Sequence, residues 1–340
     1  MTFEVTEMTR IITLGEIMLR LSTSSGVRLE QSGRFAAHYG GGEANVAISL
    51  ANYGHDVSFA SKVPANDLGK AVTHHLRNYG VDCSLLLSGG PRLGTYYMES
   101  GVGERAAKVI YDRAGSSFAE IKTNEWSEAI FKDVALFHVS GITPALSETW
   151  RDLTLSLVKR AKKAGCKISF DINYRGKLWT TNEAAAFLKE ILPLVDYCSA
   201  GKLDAQVFME IPAYTGQGNE LLYYYQQMNQ RYPNIELFYS TKREVLSASA
   251  NTLMGTLWNN GQYAASQEHR IDPIVDRVGG GDAFCAGVLH GILSGYSSQE
   301  TIDLATAASA LKHTIHGDCN QFTEAEVAEF LAAGSGKIIR

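Results

Sequence analysis

The chain has 340 residues, 45% of them hydrophobic and 20% charged, so it is long enough for one large α/β domain or two smaller ones and has the composition of a soluble globular protein. Its 31 Lys plus Arg against 36 Asp plus Glu leave a formal net charge of -5, which argues against nucleic acid or an anionic membrane as a partner but leaves room for a basic pocket that binds a small anion. Five cysteines (Cys83, Cys166, Cys198, Cys285 and Cys319), odd in number and without a CxxC pair, speak against a disulfide framework or a zinc site and for a reducing cytoplasm.

Glu4, Glu7 and Arg10 interrupt the N-terminus, so no signal peptide is expected there, and no stretch is long and apolar enough to span a membrane. RIITLGE (Arg10–Glu16) is a short apolar run stopped by Gly15 and predicts a buried strand. EANVAISLANYG (Glu43–Gly54) predicts a helix, with Ala44, Ala47, Ile48 and Ala51 on one face and a glycine stop. DVSFASKV predicts a strand, DLGKAVTHHLRNYG a helix, VALFHVSG (Val134–Gly141) a strand, TWRDLTLSLVKRAKKAG a helix and CKISFDINY a strand. AAAFLKEILPLVD then predicts a helix, and YCSA and IELFYS (Ile235–Ser240) predict strands. GDAFCAGVLHGILSG and QETIDLATAASALKHT predict two helices, with a third near the end.

Strands alternating with helices imply a mostly parallel α/β sheet covered on both faces. Leu19 to Tyr39 and Gly94 to Tyr111 break the rhythm, and GTYYMES with AAKVIYD looks like a small antiparallel flap. No linker, repeat or low-complexity stretch divides the chain, so the expectation is a single domain over 1–340 with a lid formed from about 15–40 and 94–113. Ligands of such sheets collect at the carboxyl ends of strands. Gly15-Glu16, Ser140-Gly141, Asp171 to Asn173 with Arg175, and Ser240 to Lys242 all fall there; singly each is an ordinary turn, together they mark a site.

Two glycine triplets lead into helices. Gly279, Gly280 and Gly281 precede Asp282 in DRVGGGDAFCAG, where Phe284, Val288 and Ile292 recur every four residues and Ala283, Gly287 and Gly291 form a row of small residues. That pattern starts a helix near Asp282 that packs closely on a neighbour, and its free N–H groups can hold an anion. Asp282 is either a plain N-cap or a general base. In YGGGEANVA, Asn45 shares a polar face with Ser49 and Asn52; a solvated helix and a ligand contact in the first turn are both open. Neither GxxxxGK[ST] nor GxGxxG occurs at DRVGGGD.

The pair YGGGEANVA and DRVGGGDAFCAG resembles the two signatures of the ribokinase-like (PfkB) sugar kinases in order and separation, and the likeness covers nearly the whole chain. Locally GEIMLRLS, VIYDRAGS, DINYRGKLW and ALKHTIHGD look like 2-keto-3-deoxygluconate kinases within that family. The resemblance implies a ribokinase-like fold with a small β-sheet lid and ATP and Mg²⁺ as cofactors; the lid's exposed strand edges, which need covering, point to a homo-oligomer joined through the lid. The resemblance also implies Asp282 as catalytic base and Gly279, Gly280 and Gly281 as an anion hole, with Gly279 and Gly281 also touching ATP. It assigns Gly41, Gly42, Asn45, Tyr96, Tyr111, Arg113, Arg175 and Asp318 to the substrate, and Asn173 with a turn over Ser240, Lys242 and Val245 to the nucleotide. The chain departs from the family in having Arg277 for a common threonine, Gly280 for alanine, and STKREV without the glycines of the usual nucleotide turn.

A sugar acid needs a cation for its carboxylate, and an arginine offers a forked, charge-assisted pair of donors; Arg113 and Arg175 are the candidates. The expected activity is phosphorylation of 2-keto-3-deoxygluconate at its primary hydroxyl to the 6-phosphate. A neutral-sugar kinase such as a fructokinase and a non-catalytic sugar-acid sensor are the alternatives.

Overall fold

The computed structural model describes residues 10–333; Glu4 and Glu7, which argue against a signal peptide, lie outside the described residues. β1 (Arg10–Leu14) leads through Gly15, Glu16 and Ile17 into β2 (Met18–Ser22) and β3 (Ala36–Gly40). α1 (Gly42–Asn52), β4 (Val57–Val63), α2 (Asp67–Asn78) and β5 (Leu86–Ser88) follow, then β6 (Thr95–Glu99) and β7 (Lys108–Asp112). β8 (Val134–Ser140), the single turn α3 (Ile142–Ala145), α4 (Glu148–Lys163), β9 (Lys167–Asp171), α5 (Thr181–Ile191), β10 (Tyr197–Ser199), α6 (Lys202–Phe208) and α7 (Glu220–Arg231) continue the alternation. β11 (Leu237–Ser247), β12 (Ala250–Asn259), β13 (Gln262–Ala265) and β14 (His269–Ile271) are joined by antiparallel pairing, and α8 (Gly280–Leu293), α9 (Ser298–Lys312) and α10 (Glu324–Ala333) complete the described chain.

The main sheet has ten strands in the order β13-β12-β11-β10-β9-β8-β1-β4-β5, with β14 beside β12. From β11 to β5 every pair is parallel. Its central strands bury both faces, as parallel strands do. Ile11, Leu136 and Leu237 face one core with α1, α2, α8 and α9, while Ile12, Phe137 and Phe238 face the other with α4, α5 and α7. Among the described residues no helix is long and apolar enough to cross a membrane.

The row of small residues on α8 meets α9. A Cβ on Gly287 would come within 2.6 Å of the Ala305 Cα, and one on Gly291 within 2.6 Å of the Thr301 hydroxyl, so only glycine permits this approach. α8 begins earlier than the sequence suggests. Gly279 is its N-cap, at φ +80°, and Asp282 is the third helical residue, so Asp282 does not cap the helix. For α1 the structure decides between the two open readings. Its polar face is not solvated, because it packs on α8; Asn45 is 3% and Ser49 0% exposed.

The segment expected to form a nucleotide turn is instead strand. Ser240, Lys242 and Val245 all lie within β11, which pairs residue by residue with β12 from Leu237↔Asn259 to Val245↔Asn251. The run contains neither glycine nor proline to break that pairing, and β12 supplies a partner for it.

The two breaks in rhythm form a second, four-stranded sheet in the order β3-β2-β6-β7. Its outer pairs are antiparallel, as expected, but its central pair, β2 with β6, is parallel. β2 follows β1 and β6 follows β5, and β1 and β5 run the same way in the main sheet, so the two strands leave it in the same direction.

Candidate active site

A cavity of about 1000 Å³ lies between the small sheet and the carboxyl ends of β1, β8 and β9. The first turns of α1 and α8 meet at its floor. Asn45 Nδ2 donates to Asp282 Oδ2 at 2.7 Å. Burial, with the Glu43 and Asp318 carboxylates nearby, pushes the Asp282 carboxyl up to about 6 against the opposing Asn45 hydrogen bond. A carboxylate poised there is chemically able to accept a proton from a hydroxyl near neutral pH.

The glycines divide by what surrounds them. A Cβ on Gly279 would strike the carbonyl oxygen of Asp318, and one on Gly280 the ring of His313, so packing explains both. A Cβ on Gly281 would meet nothing within 4 Å, and Gly281 is exposed on the cavity wall. Gly42 is similar: its Cβ would come no nearer than 3.7 Å to Asp282 Oδ1, whereas Gly41 is wedged against the backbone of Glu16. Gly41, Gly42, Gly279 and Gly281 line the cavity, and Gly280 lies behind it. The open N-terminus of α8 therefore faces the cavity beside a carboxylate.

The two arginines are in different states. Arg113 is engaged: its guanidinium donates to Glu16 Oε2, and Glu16 also accepts from Ser116 Oγ at 2.5 Å. Arg175 is exposed on the wall, donates to the Tyr174 carbonyl at 3.2 Å, and has no carboxylate partner among the described residues. Lys177 and Arg277 also line the cavity without a carboxylate partner among the described residues, and Arg277 donates to the Ser247 and Ala248 carbonyls. Asn173, also on the wall, has φ +39° and donates to Asp171 Oδ2 at 3.2 Å. Burial and the neighbouring Asp282 charge raise the Asp171 carboxyl to about 7.

Asp318 is held from below. Arg20, on β2, pairs with Asp318 at 2.9 Å and with Asp276, and Tyr96 donates its hydroxyl to Asp318. Tyr96 and Tyr111 face each other across β6 and β7, with ring centroids 5.7 Å apart. Tyr96 is buried, while Tyr111 is 47% exposed over the cavity. Ser240, Lys242 and Val245 do not line the cavity; the Ser240 hydroxyl instead bonds Tyr225 at 2.7 Å.

Sequence reasoning passed over several residues. Glu16 was placed at a strand end without a role. Glu43, fully buried in the first turn of α1, accepts from the Ser140 hydroxyl at 2.7 Å and from Thr143 at 3.1 Å. Arg20 left no periodic signal, because its partners lie 256 and 298 positions away. An acid directly after the glycine triplet was the one available signal for Glu43.

Residues 8–325 match the model of the pfkB family carbohydrate kinases. The chain belongs to that family. A 2-dehydro-3-deoxygalactonokinase from Haloferax volcanii is 33% identical over 97% of this chain and 99% of its own length. A pfkB family carbohydrate kinase from Listeria grayi superposes with TM-score 0.92 at 49% identity, over 95% of this chain and all of the other. A 2-dehydro-3-deoxygluconokinase from Thermotoga maritima superposes with TM-score 0.91 at 37% identity, over 95% and 99%. The ribokinase-like fold and carbohydrate-kinase class expected from the two glycine signatures are therefore those of this pfkB kinase.

Proposed function

We propose that this protein transfers the γ-phosphoryl group of ATP to the primary hydroxyl of 2-keto-3-deoxygluconate, giving the 6-phosphate. The observation that carries the reading is the juxtaposition, in one cavity, of Asp282, the open amide of Gly281 and Arg175, which has no carboxylate partner among the described residues.

In this reading Arg175 binds the sugar-acid carboxylate in a forked pair, with Arg113 released from or shared with Glu16. Asn45 and Gly42 place the sugar beside Asp282, which removes the proton of the attacking hydroxyl. The α8 N-terminus stabilises charge on the transferring group, the main work in phosphoryl transfer. ATP supplies that group. Asn173, Gly279 and Gly281 would face its phosphates. Mg²⁺ would be held chiefly by the nucleotide phosphates, as no group of three metal-ligating side chains occurs among the described residues. The small sheet serves as a lid on a single kinase domain and excludes water from the phosphoryl group. Its edge strands β3 and β7, with Phe35 and Ile110 exposed nearby, suit pairing with a second copy of the chain in the cytoplasm.

An ATP-consumption screen tests the reading. The panel holds 2-keto-3-deoxygluconate and its C4 epimer, since the relatives' names divide between them, together with fructose and ribose. Turnover with a keto-deoxy acid above the neutral sugars is expected. Preference for a neutral sugar overturns the substrate, and no ATP consumption with any member overturns the activity.

A further inference from the structure

Lys312, in the last turn of α9, has 0% exposure, a rare state for a lysine. Its ammonium lies 3.5 Å from the carbonyl oxygen of Asp276 and 3.5 Å from that of Ile315, and it makes no ion pair among the described residues. Charges nevertheless surround it. Arg20 bonds Asp276 and Asp318, and all three are buried; burial lowers the Lys312 ammonium from its ordinary range, and the two carboxylates oppose that shift and favour the charged form. Arg20 alone against two carboxylates leaves a net negative charge inside the protein. Lys312 brings the cluster to neutrality, which is the state in which buried charge is tolerated.

The cluster lies directly under the anion hole. Asp276 accepts from the Val278 amide at 3.1 Å through one oxygen and from the Gly317 amide at 3.1 Å through the other. The amide of Val275 donates to the His313 carbonyl at 2.8 Å, and Ser309 Oγ donates to the Gly280 carbonyl at 2.7 Å. The end of α9 and the segment after it are thus the bed on which Gly279–Asp282 rest. Lys312 itself does not reach the cavity.

We propose that Lys312 is a positioning residue for phosphoryl transfer: its ammonium neutralises the buried Arg20–Asp276–Asp318 cluster and tethers the Asp276 carbonyl, so the glycine amides meet phosphate with no net negative charge behind them. The proposal rests on the kinase reading above. Nucleotide binding and turnover therefore both depend on a charge that touches neither nucleotide nor sugar.

Two variants separate charge from packing. Lys312→Met keeps most of the stem without charge, and Lys312→Gln keeps a donor for the carbonyls without charge. Each, folded by circular dichroism, is expected to lose at least about tenfold in kcat and to bind ADP more weakly by calorimetry. Lys312→Ala should regain activity saturably with ammonium or methylammonium chloride and not with choline chloride at equal ionic strength, a response that a space-filling role does not give. Full turnover and ADP affinity in folded Lys312→Met overturns the proposal; if that variant does not fold, the same result with Lys312→Gln does so. An alanine variant indifferent to ammonium also overturns it. ADP binding needs no sugar, so a parent protein that binds ADP but ignores sugar acids fails the substrate reading while this proposal stays measurable.

Discussion

The Asn45 amide holds one oxygen of the Asp282 carboxylate at 2.7 Å, across 237 positions of sequence. The bond joins the first turns of two glycine-led helices and leaves the other carboxylate oxygen facing Gly42. The orientation of the proposed base is thus set by α1 and not by a capping bond within its own helix.

Replacing Asp282 by asparagine should therefore leave the helix start intact, because Gly279 is the cap. We expect kcat to fall on the order of a hundredfold or more. With the folded-state carboxyl at about 6, kcat/KM of the parent should drop as pH falls through 6, since the protonated acid cannot act as base. A pH–rate profile flat between 5 and 7, or a folded variant with normal kcat, would show that Asp282 does not take the proton.

The glycines of the triplet should respond differently to alanine. At Gly281 a methyl meets no protein atom and sits in a helix, so we expect unchanged or slightly raised Tm with a large loss of kcat. At Gly279, with φ +80° and the Asp318 carbonyl in the way, alanine should destabilise the fold itself. Comparing Tm with kcat for both checks this; equal kcat in Gly281→Ala and parent would argue that nothing docks on that amide.

Arg175→Lys keeps charge but loses the fork, so KM for the sugar acid should rise about tenfold with KM for ATP little changed. Arg113 is bound to Glu16, and Arg113→Lys should also lower Tm by exposing a buried carboxylate to an imperfect partner. If Arg175→Lys instead raises KM for ATP alone, that arginine belongs to the nucleotide.

Tyr96→Phe removes a hydroxyl that bonds buried Asp318, whereas Tyr111→Phe removes an exposed one. The first should cost roughly tenfold in kcat/KM for the sugar acid through the misplaced Asp318 and also lower Tm. The second should cost kcat/KM without touching Tm. Two silent variants would mean that neither hydroxyl serves the substrate.

Asp171 offers a test by stability. Its carboxyl is raised to about 7, so the charged form is disfavoured in the folded state and its stability contribution is lost as pH rises. Asp171→Asn should gain over the parent progressively between pH 4 and 7 and then level off, on the order of a few degrees in Tm. A gain that shrinks with rising pH would reverse the sign assigned here.

The parallel sheet was legible because buried strands and one-faced helices write their periods locally: Ile11 and Ile12 point to opposite cores, and Phe284, Val288 and Ile292 share a face. The glycine-led helices were legible for the same reason. Asn45 stayed open between a solvated face and a ligand contact because a polar stripe looks alike whether it faces water or a helix of small residues. Ser240 to Val245 was misjudged because the turn came from likeness to relatives; the missing glycines were themselves the signal of an unbroken strand. Arg20, Glu43 and Lys312 stayed hidden, since a buried charge is explained only by partners that the fold supplies from far along the chain.

The Arg20 bridge also bears on how the protein is made. Arg20 lies in the second strand, and Asp318 follows it by 298 positions, with Asp276 between. On the ribosome the glycine loop would emerge before the segment that supports it, and the early arginine would wait for both carboxylates. The sheet can form progressively as its strands appear, but the corner proposed to hold phosphate is the last part to be assembled, and that long-range closure is expected to slow folding.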